Sequence, residues 1–369
     1  MKVAVVGCGA MGAAASWRLS KRGAEVVAFD RFSPPHDRGS THGESRITRT
    51  AYLEGAFYVP LLKETFPLWR ALEAGTGMDL LTMTGLLTIG PLKSEPIEAT
   101  LTAAREHGLD VKVLDAAEVR KRYPGHVLAD DEVAVLDPQA GFLRPEKAVE
   151  AMTRGIDLRR NTVVTAIEPR ADGVDVIVDG RTETFDAAVL AAGPWMAELQ
   201  PGLPLTVERQ VMVWLAVQAG DESFSPDRFP AWLRESTAEG DVYGFPSLDG
   251  RSIKLGRHHG GEAVTPETVR RSVTDADLDP LRLFVTKHLR GVTRHVIRSA
   301  VCLYTNTPDE SFIVDVHPES PRIVVLSACS GHGFKFAPVM GDIAADLLIE
   351  GGTHRDISRF ALQRFAKPD

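Results

Sequence analysis

The segment Lys2-Val3-Ala4-Val5-Val6-Gly7-Cys8-Gly9-Ala10-Met11-Gly12 opens the chain and decides its fold. Lys2 to Val6 is a short β-branched run that reads as a strand, and Ala13 to Lys21 reads as a helix ended by Gly23. Ala24 to Phe29 reads as a second strand closing on Asp30. The three glycines between strand and helix have separate tasks. Gly7 permits a tight turn, Gly9 lets the backbone approach a pyrophosphate, and Gly12 lets helix and strand pack closely. Ala10 and Met11 complete the cofactor-binding turn, and the Asp30 carboxylate takes a ribose hydroxyl pair. The pattern fits NAD and FAD equally, since both carry an adenosine pyrophosphate.

A second glycine turn lies near the other terminus, Ser330-Gly331-His332-Gly333-Phe334-Lys335-Phe336. An apolar strand, Ile323 to Ala328, precedes it. Pro338 then opens an amphipathic helix that Gly351-Gly352 closes. Strand, turn and helix N-terminus make a site for an anion or an electron-rich ring edge, and Lys335 adds a fixed positive charge. Pieces of one nucleotide-binding unit thus lie at both ends, with strand-rich sequence between. The expected fold is α/β. A discontinuous Rossmann-like domain spans residues 1–80, 137–200 and 301–369. An α+β substrate domain built on a mostly antiparallel sheet, residues 81–136 and 201–300, roofs it.

Composition narrows the function classes. A chain of 369 residues is long enough for two cores, and its 44% apolar and 25% charged residues are those of an ordinary soluble globular protein. The net charge of -8 gives no reason to expect nucleic acid or an acidic membrane as partner. No apolar run reaches the roughly 20 residues that span a bilayer. Cys8, Cys302 and Cys329 are too few and too scattered for a disulfide framework or a metal site, which leans towards a reducing compartment. The glycine spacing inside the N-terminal apolar run argues against a signal peptide. The expectation is a cytoplasmic protein without metal, nucleic-acid or membrane partners.

Between the termini, Ser33-Pro34-Pro35-His36 and the stretch from Gly39 to Arg49 read as loop. Arg46 and Arg49 would share one face if the chain turned helical there; they read either as a solvated basic patch or as an anion site. Phe57 to Ala74 reads as an amphipathic helix kinked or broken at Pro67. Asn161 to Glu168, Val174 to Val178 and Thr184 to Leu190 read as a meander whose last strand ends in Ala191-Ala192-Gly193, small enough to admit a cofactor. In the strand from Ser252 to Leu255, Lys254 shares a face with Ser252 and Gly256. Cys302 lies in a strand from Ser299 to Tyr304, where a single cysteine by itself reads as a buried inert thiol. Ala231 to Gly240 reads as a lid over the site.

Together these motifs resemble the monomeric sarcosine oxidase and N-methyltryptophan oxidase family of flavoprotein amine oxidases over essentially the whole chain. The resemblance rests on Gly7 to Gly12 with Asp30, on Ser33 to His36, and on His42 to Arg49. It rests further on Tyr243 to Ser247 with Ile253 to Gly256, on Cys302 to Glu310, and on Ser330 to Phe336. It implies FAD, attached covalently through Cys302, with further contacts from Ser40, Thr41, Val164, Gly193, Gly331, Gly333, Phe334 and Lys335. It implies that Lys254 promotes reaction of reduced flavin with oxygen and that Arg46 lies near the flavin's reactive edge. Arg49 and Lys335 would grip the substrate carboxylate, and Tyr243 and His258 would position the amine. Glu44-Ser45 and Cys329 depart from the family pattern, and Cys329 receives no role.

The implied function is an FAD-dependent oxidase of secondary amino acids, sarcosine or another N-methyl amino acid. It would form an imine and reduce O₂ to hydrogen peroxide, as a monomer whose partners are a small amino acid and O₂. The alternative is an oxidase or dehydrogenase of a cyclic or larger secondary amino acid, proline-, pipecolate- or N-methyltryptophan-like.

Overall fold

The structure, a computed structural model, describes residues 1–236 and 240–366. Its first sheet has six strands in the order Ile313–His317, Ser320–Ser327, Ala187–Leu190, Lys2–Val6, Glu25–Phe29, Asp157–Arg159. All neighbours are parallel except the edge hairpin Ile313–His317 with Ser320–Ser327. A parallel sheet is covered on both faces, so its inner strands are apolar at every position. Val3 and Val5 face the helices Ala10–Lys21, Val59–Thr76, Pro145–Thr153 and Ala337–Ile349. Ala4 and Val6 face a three-stranded meander, Val164–Pro169, Val174–Val178 and Arg181–Phe185. The glycine motif makes this packing possible. Gly7 has φ +86, and a Cβ on Gly12 would stand 1.8 Å from the Gly7 carbonyl oxygen.

The second sheet has nine strands. Thr206–Val217 lies next to one end of the sheet and pairs with Ser252–Arg257 and Glu262–Val264 on one side and with the outermost strand Val292–Asn306 on the other. Beyond Ser252–Arg257 the order continues through Val242–Gly244, Ala231–Arg234, Leu86–Pro91, Glu132–Asp137 and Lys112–Asp115. Every pairing is antiparallel except Ala231–Arg234 with Leu86–Pro91. One face of this sheet carries Val213, Leu215, Trp232, Ile253 and Leu255 into an apolar core with the helix Asp275–His288. Alternation along the strands turns Met212, Trp214 and Lys254 to the opposite face.

Several expectations are corrected. The chain around Arg46 is extended, a strand Arg46–Thr48, so the two arginines do not share a helical face. The helix Val59–Thr76 runs through Pro67 without a break. The ring removes one N–H, but Leu61, Leu62, Thr65, Trp69 and Leu72 stay buried on one face and hold the helix together. The predicted strand Thr184 to Leu190 is two strands that part at Asp186. Arg181–Phe185 has mostly polar exposed positions and stays in the meander, whereas Ala187–Leu190 is buried throughout and enters the parallel sheet. The start of the expected lid, Ala231–Arg234, is an inner strand of the large sheet; residues 237–239 of that segment lie outside the described residues. Among the described residues no helix is long and apolar enough to cross a membrane.

Candidate active site

The C-terminal ends of the parallel strands open into a cavity between the two sheets, walled by Val6, Phe29 and Leu326 from one side and Tyr243 and Cys302 from the other. Its lining runs from the Gly7–Met11 turn and Asp30 to Arg49, Glu54 and Lys335, so one continuous cavity joins the dinucleotide motif to a buried charged cluster. Every residue singled out from the sequence lines this cavity except Gly12, which packs beneath it, and Lys254.

At one end the Asp30 carboxylate is fixed, accepting the Cys8 and Phe32 N–H groups at 2.8 Å each, with His36 Nε2 3.3 Å away. The adjacent helix Ala10–Lys21 begins at Gly9, and Thr41 Oγ1 accepts the Ala10 N–H at 3.2 Å. The turn at Gly333 leads through Phe334–Phe336 into the helix Ala337–Ile349. Two positive helix ends therefore serve one cavity. Close approach is built into the second turn. A Cβ on Gly331 would lie 2.6 Å from the Tyr304 ring and 3.1 Å from His258. Fixed carboxylate, glycine cradle and paired helix ends fit FAD: adenosine ribose, pyrophosphate and an electron-rich ring edge each find a matching group.

At the other end sits a cluster of buried charges. Arg49 is 3% exposed. Its Nη2 donates to both oxygens of Glu54, while Nε and Nη1 are buried without a hydrogen-bond partner among the described residues. Lys335 Nζ donates to the His332 carbonyl at 2.6 Å and to the Tyr52 hydroxyl at 3.1 Å. Burial, with the charge of Arg49 added, pushes the Lys335 ammonium down to about 7 against the pull of Glu54. Burial alone would raise the Glu54 carboxyl, but Arg49, with His332 and Lys335 behind it, holds it at about 2. The loop carrying Arg49 is pinned from below by Asp137, whose Oδ2 accepts the N–H groups of Thr50 at 2.9 Å and Ala51 at 3.1 Å.

Between the two ends, Arg46 donates to the carbonyls of Ser45 at 2.8 Å and Ser40 at 2.7 Å, and its Nη2 lies 3.6 Å from Cys302 Sγ. Burial raises the Cys302 thiol, and the Arg46 charge opposes this. Burial also pushes the Tyr243 phenol up to about 12, raises Tyr304, and with His259 drives the His258 imidazole well below its usual range. His258 Nδ1 is 3.4 Å from the Tyr304 hydroxyl. These three groups are uncharged at neutral pH, a polar but neutral wall facing two cations.

Lys254 stands apart. It is 3% exposed, its Nζ donates to the Gly43 and Ser45 carbonyls at 2.7 Å each, and it lies 4.7 Å over the Phe245 ring. It borders a separate small pocket with Glu44, Trp214 and Asp249. Burial and the nearby Arg46 charge depress its pKa well below the usual lysine value.

Sequence reading missed Glu54, Tyr52 and His332 as members of the cluster around Arg49 and Lys335. Nothing in local spacing marks Glu54, which meets Arg49 only because the loop folds back. Tyr304 could have been found, since it lies two residues beyond Cys302 on the same strand face.

Residues 2–347 match the family of FAD dependent oxidoreductases, and the chain belongs to that family. Within it, the chain is 38% identical over 374 residues to the monomeric sarcosine oxidase of Streptomyces avermitilis, covering 99% of this chain and 97% of that protein. It is 37% identical over 367 residues to the N-methyl-L-tryptophan oxidase of Yersinia pestis (strain Pestoides F), covering 98% of each. Among solved structures it is similar to NikD, an amino acid oxidase essential for nikkomycin biosynthesis. That likeness has a TM-score of 0.86 and 27% identity over 97% of this chain and 96% of NikD. The α/β fold and the FAD family expected from the sequence are thereby confirmed.

Proposed function

We propose that this protein is an FAD-dependent oxidase of secondary amino acids, with a small N-methyl amino acid such as sarcosine as its substrate. The observation that carries this reading is the pair of buried, unpartnered Arg49 nitrogens, Nε and Nη1, in the cavity that Lys335 also lines. Buried donors without acceptors are costly, and a substrate carboxylate supplies an acceptor to one of them. When bound, FAD supplies a two-electron acceptor that O₂ reoxidises, so that sarcosine, O₂ and water give glycine, formaldehyde and hydrogen peroxide.

Gly7, Gly9, Ala10, Met11 and Asp30 would hold the adenosine pyrophosphate. Ser40, Thr41, Arg46, Val164, Gly193 and the turn from Gly331 to Lys335 would hold the remainder, with a thioether to Cys302. Residues 1–80, 137–200 and 301–369 form the cofactor-binding part on this reading, and 81–136 with 201–300 the roof. Arg49 and Lys335 dock the carboxylate, and Tyr243 and His258 orient the amine. The surrounding positive charge disfavours a substrate ammonium, so the amine sheds its proton and regains the lone pair that C–H oxidation requires. Lys254 favours electron transfer to O₂ through its charge. The protein acts as a cytoplasmic monomer.

The test is the visible spectrum of the purified protein, taken anaerobically before and after sarcosine. A flavin band that bleaches supports the reading. A flavin band unmoved by sarcosine but bleached by proline or N-methyltryptophan would replace the substrate, and absence of any flavin after FAD addition would refute the assignment.

Two further outcomes are expected. The Cys302→Ala protein releases its flavin into the supernatant on acid precipitation, whereas the parent keeps a yellow pellet; a yellow Cys302→Ala pellet would exclude this thiol as the link. Carboxylate binding weakens above pH of about 7, because Lys335 is charged below that value and neutral above it. Acetate, which has no amine to titrate, isolates the effect: its inhibition constant should rise by up to about tenfold per pH unit once Lys335 deprotonates.

A further inference from the structure

The segment between the strand Glu262–Val264 and the helix Asp275–His288 has no regular structure, yet it is firmly held by its own half of the molecule. Val269 is buried against Val301 and Leu303. Arg209 donates to the carbonyls of Arg270 at 2.8 Å and Ser272 at 3.1 Å and pairs with Asp277 at 2.8 Å. The segment then reaches across to the nucleotide-binding half. The Glu267 carboxylate accepts from Arg31 at 3.1 Å and from the Trp195 indole N–H. Arg271 donates to the carbonyls of Asp37 at 2.8 Å and Arg38 at 2.6 Å.

The groups it seizes form one wall of the cavity. Arg31 follows Asp30 directly, Trp195 lies 5.4 Å from Phe32 and 5.2 Å from the Arg31 guanidinium, and all three line the cavity beside Asp30. Arg31 is shared with a second carboxylate, Glu198, at 3.6 Å. This wall is therefore closed by side chains of the opposite half. A nucleotide seated at Asp30 would be covered by residues that the glycine motif does not include.

We propose that residues 265–273 form a latch over the adenosine end of the cofactor site, with Glu267 as the positioning residue that holds Arg31 and Trp195 closed. Arg271 ties down the neighbouring loop. The inference rests on FAD being the cofactor and goes beyond it: retention of the nucleotide depends on a segment of the roof, not only on the nucleotide-binding motif.

The test uses the Cys302→Ala protein loaded with FAD, so that no covalent link masks release, and follows the rise of free flavin fluorescence after dilution. Adding Glu267→Ala is expected to speed FAD release about tenfold, for two lost hydrogen bonds to a charged acceptor. Glu267→Gln keeps an acceptor for Trp195 and is expected to give an intermediate rate. FMN, which lacks the adenosine, should leave at the same rate from both proteins. The Glu267 carboxylate is half-exposed, so its removal leaves the fold standing. Unchanged FAD release, or an equal acceleration for FMN, would overturn the latch. Absence of flavin from both the unsubstituted and the Cys302→Ala protein after FAD addition would overturn the cofactor reading, and the latch with it.

Discussion

Arg49→Met is expected to raise the sarcosine concentration that half-saturates anaerobic flavin reduction by roughly 30-fold to several-thousand-fold. That range corresponds to about 2–5 kcal/mol for truncating one partner of a buried charge pair. Two effects add. The Nε and Nη1 donors available to a carboxylate disappear. Glu54 also loses the guanidinium that keeps it ionised at about 2, leaving a buried carboxyl where the substrate's own carboxylate must sit. Methionine retains an unbranched apolar stem, while the guanidinium 4.8 Å over the Tyr52 ring is lost with the charge. Stopped-flow reduction separates the cases: a raised half-saturating concentration with a preserved limiting rate places the loss in binding. Arg49→Lys keeps the charge without the planar fork and is expected to recover only part of it. A parent-like half-saturating concentration for Arg49→Met would remove Arg49 from the carboxylate site.

Lys254→Met is expected to leave reduction by substrate near the parent rate and to slow reoxidation by O₂ about 10²–10³-fold, the usual loss for one electrostatic group at a centre where charge develops. On the proposed reading the ammonium would act through its field, because it sits behind the cavity wall, bonded to the Gly43 and Ser45 carbonyls. Its depressed pKa gives the effect a sign with pH. Oxygen reactivity is expected to be supported while Lys254 is protonated and to decline as rising pH removes that proton. The variant also strands two carbonyls, for about 1–3 kcal/mol of stability. A thermal melt measures that loss separately from the oxygen reaction. Parent-like reoxidation in Lys254→Met would leave Arg46, half-buried and charged, as the candidate cation at the reactive edge.

The sequence was most legible where local rules act alone. Strand, glycine turn, helix and Asp30 follow one another within 30 residues, and each meets its partner through adjacent chain. The same holds for the turn at Gly331 and the helix after it, where strand, glycine and proline are consecutive. Reading failed where the chain had a choice. The stretch around Arg46 read as loop, but it pairs with Gly141–Leu143, a partner almost a hundred residues away, and becomes a strand. Ala231–Arg234 looked like a mobile cover, but Leu86–Pro91 and Val242–Gly244 supply strands on both its sides. In each case long-range pairing overruled the local pattern.

By itself, the sequence determined that this protein has a dinucleotide motif at one end, a cationic glycine turn at the other, and residues between them that match one family of flavin oxidases. Consecutive backbone geometry and side-chain type are enough for that. Only the tertiary structure decided that Arg49 is held by Glu54, that Lys254 lies behind the cavity wall, and that Glu267 closes on Arg31 across the two halves. Ionisation followed from the same source: Lys335 at about 7 and Glu54 at about 2 are set by burial and by charges brought together from loops distant in the chain. Desolvation and Coulomb energy depend on distance in space, which spacing in sequence does not encode.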